Sequence, residues 1–438
     1  MKVLKFGGTS VGSAEQMKNL VTLIKSNETK IIVLSAMSGT TNELVEIANK
    51  LYARENDKAK QLIDALEKKY ERVLKELYSK ESSLNKGKEL VKNHFEFIRS
   101  FTLDMFTVNE EKSILAQGEL LSTAMFHFYL EEIGTDSVLL PALNFMRIDE
   151  NDEPDLKYIE ENLNAELKKY SEKKLFITQG YICRNAFGEI DNLKRGGSDY
   201  TATLIGSALT AEEIQIWTDI NGMHNNDPRM VDKTFPVTEL SFDEAAELAY
   251  FGAKILHPTC VLPAQKRKIP VRLLNTMEPT AKGTVITAKS PSDRITAVAG
   301  KDGIIAIKIK SARMLLAYGF LRSVFEIFER YKTPIDMITT SEVAVSVTID
   351  NEKNLDAIVN ELNEFCSVEI DRNQTIICVV GSFTAEKQGV AVKIFDALKN
   401  IPLRMISYGG SENNVSVLVE TKHKKDALVA LNKGLFGI

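Results

Sequence analysis

The chain has 438 residues, a formal net charge of −5 and ordinary apolar and charged fractions of 44% and 26%. That length allows about two or three domains with cores of their own, and the mild acidity argues against a nucleic-acid partner. No apolar run approaches a membrane span. The four cysteines (Cys183, Cys260, Cys366 and Cys378) form no C-x-x-C pair, and three have apolar neighbours, so buried thiols in a reducing cytosol are expected.

In chain order, the first predicted strand is Lys2–Phe6, which runs directly into Lys5-Phe6-Gly7-Gly8-Thr9-Ser10-Val11. With the chain running straight into a strand, no secretory leader is expected. Ser13-Ala14-Glu15-Gln16 reads as a capping box opening a helix over Ala14–Lys25. A strand, two glycines and a helix start form a geometry that can cradle phosphate, because glycines tolerate unusual φ and bring N–H groups close to an anion. Two glycines alone make an ordinary turn equally well. Gly7 to Gly12 has P-loop spacing, yet Ser13 stands where that motif requires lysine, and no G-x-G-x-x-G opens a βαβ unit.

Further predicted strands are Lys30–Ser35, Ser137–Pro141, Leu175–Gly180, Ile214–Thr218 and Val271–Leu274, with a helix over Ser241–Phe251 among the intervening segments. Apolar strands separated by helices indicate a parallel or mixed sheet covered on both faces. From Asn42 to about Ser100 the chain is rich in Lys and Glu, lacks proline, and carries Leu62, Leu66, Tyr70, Val73 and Leu77 at helical spacing. This reads as an antiparallel helical insert with a turn near Ser82–Lys88 and a solvated charged face.

Several loops hold groups suited to anions. Ser35-Ala36-Met37-Ser38-Gly39-Thr40-Thr41-Asn42 follows the second strand, where loops of an open sheet line a ligand crevice. Leu193-Lys194-Arg195-Gly196-Gly197-Ser198-Asp199-Tyr200 precedes a predicted helix over Thr201–Leu209; Arg195 can clamp a carboxylate, and Asp199 suits either a ligand role or an N-cap. Trp217-Thr218-Asp219 ends a strand, where an acidic residue suits ribose hydroxyls or a metal-bound phosphate, and Asn226-Asp227-Pro228-Arg229 follows, its Asp-Pro pair also readable as a simple turn. In Phe251-Gly252-Ala253-Lys254-Ile255-Leu256-His257-Pro258, Lys254 sits beside a helix end.

Around Ser290-Pro291-Ser292-Asp293 the pattern changes, which marks a boundary. Beyond it, Pro334-Ile335-Asp336-Met337-Ile338-Thr339 recurs as Pro402-Leu403-Arg404-Met405-Ile406-Ser407, and Val345 to Asp350 recurs as Val415 to Glu420. Each copy reads strand, helix, strand, strand, helix, beginning near Ile304 and Thr375. Two βαββαβ units sharing a sheet are expected.

Taken together, KFGGTSV, SAMSGTTN, GELLS (Gly118 to Ser122), RGGSDYTA, WTD, DPR and FGAKILHP resemble the aspartate kinases in identity and order. The tail ITTSEVAVSVTID and its repeat resemble that family's paired ACT domains, and the pattern is that of the monofunctional, lysine-sensitive members. The resemblance implies an α/β amino-acid-kinase fold, a three-layer α/β/α sandwich over residues 1–293 with its insert at 42–100. Two ferredoxin-like ACT domains would follow at 303–372 and 373–438, with no fused homoserine dehydrogenase.

Its implied reaction moves the γ-phosphoryl of ATP to the β-carboxylate of L-aspartate, the first step toward lysine, threonine and methionine. By resemblance, Lys5 stabilises the transferring phosphoryl, with Gly7, Gly8 and Ser10 around it. Glu119 pairs with the substrate ammonium and Arg195 with its α-carboxylate; Thr41, Ser35 and Ser198 supply hydrogen bonds; Asp199 orients the reacting groups. Thr218, Asp219, Arg229 and Lys254 hold the nucleotide, and Mg²⁺ is carried mainly by ATP phosphates.

Met314, Gly319, Phe320, Leu321, Asp336, Thr340 and Glu342 match the lysine-sensitive effector pattern. Two positions depart from the family: His224 replaces a common tyrosine, and Leu316-Ala317-Tyr318 replaces a more polar stretch. A homodimer through the ACT units is also implied. Two rivals stand beside this reading: a kinase for glutamate, N-acetylglutamate or a nucleotide, and an amino-acid-binding regulator with a degenerate kinase domain. The set Lys5, Glu119, Arg195 and Asp199 argues against both.

Overall fold

A computed structural model describes residues 1–103, 105–193, 196–252, 257–289, 294–310, 318–383 and 389–438. Their contacts group into two units, Met1–Met223 with Leu256–Lys289, and His224–Ile255 with Ser290–Ile438. Elements are numbered along the whole chain.

In the first unit, β1 (Lys2–Phe6), β2 (Lys30–Leu34), β3 (Val138–Leu140), β4 (Leu175–Gln179), β7 (Glu213–Thr218), β9 (Val271–Asn275) and β10 (Thr284–Thr287) run side by side in the order β3-β4-β2-β1-β7-β9-β10. All neighbours are parallel except β9 and β10. The six predicted strands are all present. β1 is central: the chain goes to β2 on one side and later to β7 on the other, so its carboxyl end is a topological switch point, where open α/β sheets bind ligands. Lys5 pairs in register with Val33 and Ile216 there.

Alternation along β1 and β2 sends Leu4, Phe6, Ile32 and Leu34 into one core. That core is built with α1 (Ala14–Ile24), α2 (Thr40–Tyr52), α3 (Asn56–Leu77), α4 (Glu81–Ser100) and α5 (Val108–Glu132). Lys5 therefore belongs to the opposite face, on which α7 (Gly197–Ala208) packs, with α6 (Leu156–Lys168) and α9 (Pro258–Arg267) beside it. Helices cover both faces, giving the three-layer sandwich. A small antiparallel hairpin, β5 (Ile182–Arg184) and β6 (Ile190–Asn192), leads toward α7.

The insert is helical as expected, but its turn is misplaced by the sequence reading. The α3–α4 connection lies at Tyr78–Lys80, and Ser82–Lys88 is inside α4. Gly87 is the reason. A Cβ there would stand 2.7 Å from the Tyr78 ring and 2.9 Å from Leu74, so this glycine permits close helix packing rather than a turn. Leu66, Tyr70, Val73 and Leu77 are buried at the predicted spacing, with Leu62 at the margin.

In the second unit, β8 (Glu239–Ser241) and α8 (Phe242–Tyr250) precede a sheet of order β12-β13-β11-β14-β16-β15. Its strands are β11 (Ile295–Lys310), β12 (Ile338–Thr340), β13 (Ala344–Ile349), β14 (Ser367–Gly381), β15 (Met405–Ser407) and β16 (Asn414–Glu420). The helices are α10 (Phe320–Arg330), α11 (Leu355–Leu362), α12 (Val390–Ala397) and α13 (Lys424–Leu431).

Both long central strands serve two modules. Ile304–Lys310 of β11 pairs with the first part of β14 around one core, and Ile295–Lys301 pairs with its last part around another. Each module thus has the four-strand order of a ferredoxin-like βαββαβ fold. The final strand of the second module comes from Ile295–Lys301, ahead of the first module, so residues 373–438 do not complete it alone.

Residues 224–255, assigned from sequence to the kinase domain, group with this unit for identifiable reasons. Asn225 Nδ2 donates to Asn432 Oδ1 at 3.1 Å, Asn226 Nδ2 to the Leu428 carbonyl at 3.0 Å, and Asn414 Nδ2 to Glu247 Oε2 at 2.6 Å. The boundary at 290–293 lies outside the described residues.

Candidate active site

The carboxyl ends of β1, β2 and β4 and the start of α7 bring the two glycine motifs together. Lys5 Nζ lies 2.6 Å from Asp199 Oδ1, and both side chains are largely shielded from solvent. Ser35 Oγ donates to Ser198 Oγ at 2.8 Å. Motifs separated by almost the whole unit therefore meet through one ion pair and one hydroxyl pair.

Their glycines act differently. Gly7 is extended at φ −72°, and Gly8 does not have positive φ, contrary to the expectation of unusual conformations. What Gly8 supplies is proximity, since a Cβ there would stand 3.0 Å from the Ala36 carbonyl. Gly196 does take the left-handed region (φ +73°), and its Cβ would collide with Cys260 Sγ at 1.9 Å. It caps α7, which starts at Gly197, ahead of the predicted Thr201. Asp199 lies in the first turn and is not the N-cap; its carboxylate is held by Lys5. First-turn N–H groups of α7 add partial positive charge at the same place.

Glu119 is the most unusual group. It lies mid-helix on α5 and is 3% exposed. Ala36 N–H donates to its Oε1 at 3.2 Å, while Oε2 is buried without a partner. Burial pushes the Glu119 carboxyl up to about 8, only partly countered by the Ala36 N–H. An uncompensated buried carboxylate calls for a cation.

These groups line an open cavity of about 500 Å³: Gly8, Thr9, Ser35, Ala36, Met37, Ser38, Gly39, Thr41, Asn42, Glu119, Tyr181, Gly197, Ser198 and Asp219. One wall is therefore a carboxylate seeking a cation, and another carries hydroxyls and a helix start suited to anions. Together they fit a zwitterionic amino acid beside a phosphate.

Of the predicted site residues, Gly8, Ser35, Thr41, Glu119, Ser198 and Asp219 line this cavity, with the Lys5–Asp199 pair at its α7 side. Thr218 neighbours Asp219 and donates to its Oδ1 at 3.2 Å. Gly7 donates to the Trp217 carbonyl at 3.3 Å, holding the turn to β7. Ser10 is fully buried and bonds Thr276 Oγ1 at 2.8 Å, so its hydroxyl braces that turn from behind. Arg229 is in the second unit, exposed and paired twice with Asp227 at 2.9 and 2.8 Å; His224, in the same unit, bonds Thr234 Oγ1 at 2.9 Å. Arg195 and Lys254 lie outside the described residues.

Sequence reasoning missed Tyr181, whose positive φ (+68°) follows the end of β4 and whose ring lies 3.3 Å from where a Gly197 Cβ would be. Its place after a parallel strand was the available signal.

Among the expected effector residues, Gly319, Phe320 and Leu321 form the start of α10, Thr340 ends β12 and Glu342 follows it, exposed. Met314 lies outside the described residues. Asp336 is almost fully buried and already engaged: Lys301 Nζ is 2.9 Å and the Tyr250 hydroxyl 2.5 Å from Oδ1, while Oδ2 has no partner. Lys301 also pairs with Asp350 at 2.9 Å.

Comparison with known proteins agrees with this arrangement. The amino acid kinase family profile matches residues 1–275, and an ACT domain profile matches residues 377–435. Aspartokinase 1, chloroplastic, from Arabidopsis thaliana is 34% identical across 99% of this chain and 80% of its own length. Lysine-sensitive aspartokinase 3 of Escherichia coli is 32% identical across 99% of both chains. The crystal structure of E. coli aspartokinase III in complex with aspartate and ADP superposes with a TM-score of 0.85, at 31% identity, over 100% of both chains. The chain belongs to the amino acid kinase family and, within it, to the aspartokinases.

Proposed function

We propose that the protein transfers the γ-phosphoryl group of ATP to the β-carboxylate of L-aspartate, giving 4-phospho-L-aspartate. The observation that carries this reading is Glu119, a buried carboxylate with one unpartnered oxygen on the wall of a cavity otherwise rich in anion donors. An α-ammonium would satisfy it. An acylated amino acid or a nucleotide base offers no such cation.

The acceptor carboxylate has a pKa near ~3.9 and is ionised at neutral pH, so no general base is required. Catalysis then rests on placement and charge neutralisation. Lys5 stabilises the charge of the transferring phosphoryl, and Asp199, 2.6 Å away, holds the ammonium in position. Gly7 and Gly8 leave room for the phosphate chain; Ser35, Thr41 and Ser198 donate hydrogen bonds; Arg195 clamps the α-carboxylate. Thr218, Asp219, Arg229 and Lys254 serve the nucleotide.

Mg²⁺ accompanies ATP, neutralising phosphate charge with mostly phosphate and water ligands. Among the described residues, no cluster of three or more His, Cys, Asp and Glu side chains is placed to cage a metal.

Feedback by L-lysine through the ACT modules completes the proposal, the named lysine sensitivity of the E. coli relative being its support. A homodimer through those modules and a cytoplasmic location belong to the same reading. No described helix is long and apolar enough to cross a membrane.

Hydroxylamine trapping of an ATP-dependent acyl phosphate tests the reaction. Aspartate should give hydroxamate, while succinate, N-acetylaspartate and glutamate should not. Hydroxamate from N-acetylaspartate at the aspartate rate, or none from aspartate, would sink the proposal.

A further inference from the structure

The roles above leave the helical insert without a function, yet two adjacent α3 side chains are tied to the loop between β2 and α2 and to the first turn of α2. Lys69 Nζ donates to the Ser38 carbonyl at 3.1 Å and pairs with Glu43 Oε1 at 3.0 Å. The Tyr70 hydroxyl, fully buried, lies 3.2 Å from Thr40 Oγ1. Between these ties, Ser38, Gly39 and Thr41 line the cavity, whereas Lys69 does not.

The start of the loop is held by Ser35 and Ala36, bonded to Ser198, Ser122 and Glu119, and the Thr40 N–H closes a turn on the Met37 carbonyl at 3.0 Å; within that turn Lys69 ties the Ser38–Gly39 peptide. Gly39 has φ +80° and is the N-cap of α2, with no side-chain cap. A glycine can leave that conformation at small cost. Because the peptide group is planar, a cation on the Ser38 carbonyl also fixes the Gly39 N–H on its opposite edge. Charge-assisted bonds of this kind are roughly twice as strong as neutral ones.

We propose that Lys69 is a positioning residue for the reaction: by anchoring the Ser38–Gly39 peptide from behind, it presets the donors of the Ser38–Thr41 loop for the amino-acid substrate. This rests on the reading of the cavity as the aspartate site. The insert then acts as a brace for one wall of that site.

Steady-state hydroxamate formation by the full chain, with aspartate and MgATP varied separately, tests it. Lys69→Met should raise KM for aspartate about tenfold, or ~1.4 kcal/mol at one decade per 1.4 kcal/mol. KM for ATP and the thermal midpoint should stay near wild type. Lys69→Arg, which keeps a charged donor, should restore most of the loss; a merely structural role would move both KM values and the midpoint together. An unchanged KM for aspartate in Lys69→Met, or Lys69→Arg as impaired as Lys69→Met, overturns the proposal. A wild-type protein that forms no hydroxamate from aspartate overturns the aspartate reading itself, a separate failure.

Discussion

Glu119 provides the sharpest test of how the site recognises its substrate. Burial holds its carboxyl at about 8, against an ordinary value of 4.5. An ammonium pairs only with the ionised form, so apparent affinity scales with the ionised fraction. With that fraction about 1% at pH 6, 10% at pH 7 and 50% at pH 8, aspartate affinity should rise roughly 50-fold from pH 6 to pH 8 and then level off.

The same shift has a stability consequence. The folded state binds the proton more tightly than the unfolded chain, so this contribution is complete below pH 4.5 and is lost as pH rises to about 8. Glu119→Gln removes the penalty. Over the interval from 4.5 to about 8 this amounts to roughly 5 kcal/mol, so the ligand-free variant should be the more stable protein at pH 9. Yet it should bind aspartate at least ~100-fold more weakly, having lost the charge for the ammonium. Titration calorimetry in buffers of different ionisation enthalpy should show nearly one proton released per aspartate bound at pH 7. A flat affinity from pH 6 to pH 8, or wild-type aspartate binding by Glu119→Gln, would refute the reasoning.

Further outcomes follow from other parts of the structure. Lys5→Met should lower kcat by about 100- to 1,000-fold, the usual loss for one donor aimed at developing charge, with KM for aspartate little changed; a variant with full turnover contradicts the assigned role. Gly196→Ala combines a left-handed φ with a collision against Cys260, and should cost roughly 2–5 kcal/mol in chemical unfolding. A loss under ~0.5 kcal/mol would show that the close approach relaxes. L-Lysine should inhibit the wild-type rate, and Asp336→Asn should shift inhibition to higher concentration; a rate unmoved by lysine removes feedback from the proposal.

Much of the architecture was legible because each element carries a local signal. The six predicted strands are apolar runs bounded by turn residues, and Leu66, Tyr70, Val73 and Leu77 repeat at helical spacing. What escaped was set by contacts between distant residues. Gly87 looks like a turn until Tyr78 packs across it. Ser10 stands in the glycine motif, and only the fold shows that it is fully buried and shares a hydrogen bond with Thr276. Nothing local announces that Ile295–Lys301 completes a module whose other strands begin near residue 374, or that Asn225 and Asn226 are held by α13 and Asn432. Glu119 is locally an ordinary helical glutamate, singled out in the sequence only by the GELLS resemblance; its burial against Ala36 supplies the physical reason.

In the proposed reaction the substrate's own carboxylate attacks phosphorus, with Lys5 neutralising charge and no intervening base. Aspartate labelled with ¹⁸O in both β-carboxylate oxygens decides it most directly, by mass analysis of the phosphate released when hydroxylamine attacks the product's carbonyl carbon. One ¹⁸O atom is expected in each released phosphate, carried over as the bridging oxygen. Unlabelled phosphate formed at the same rate would mean that water, not the carboxylate, accepts the phosphoryl group.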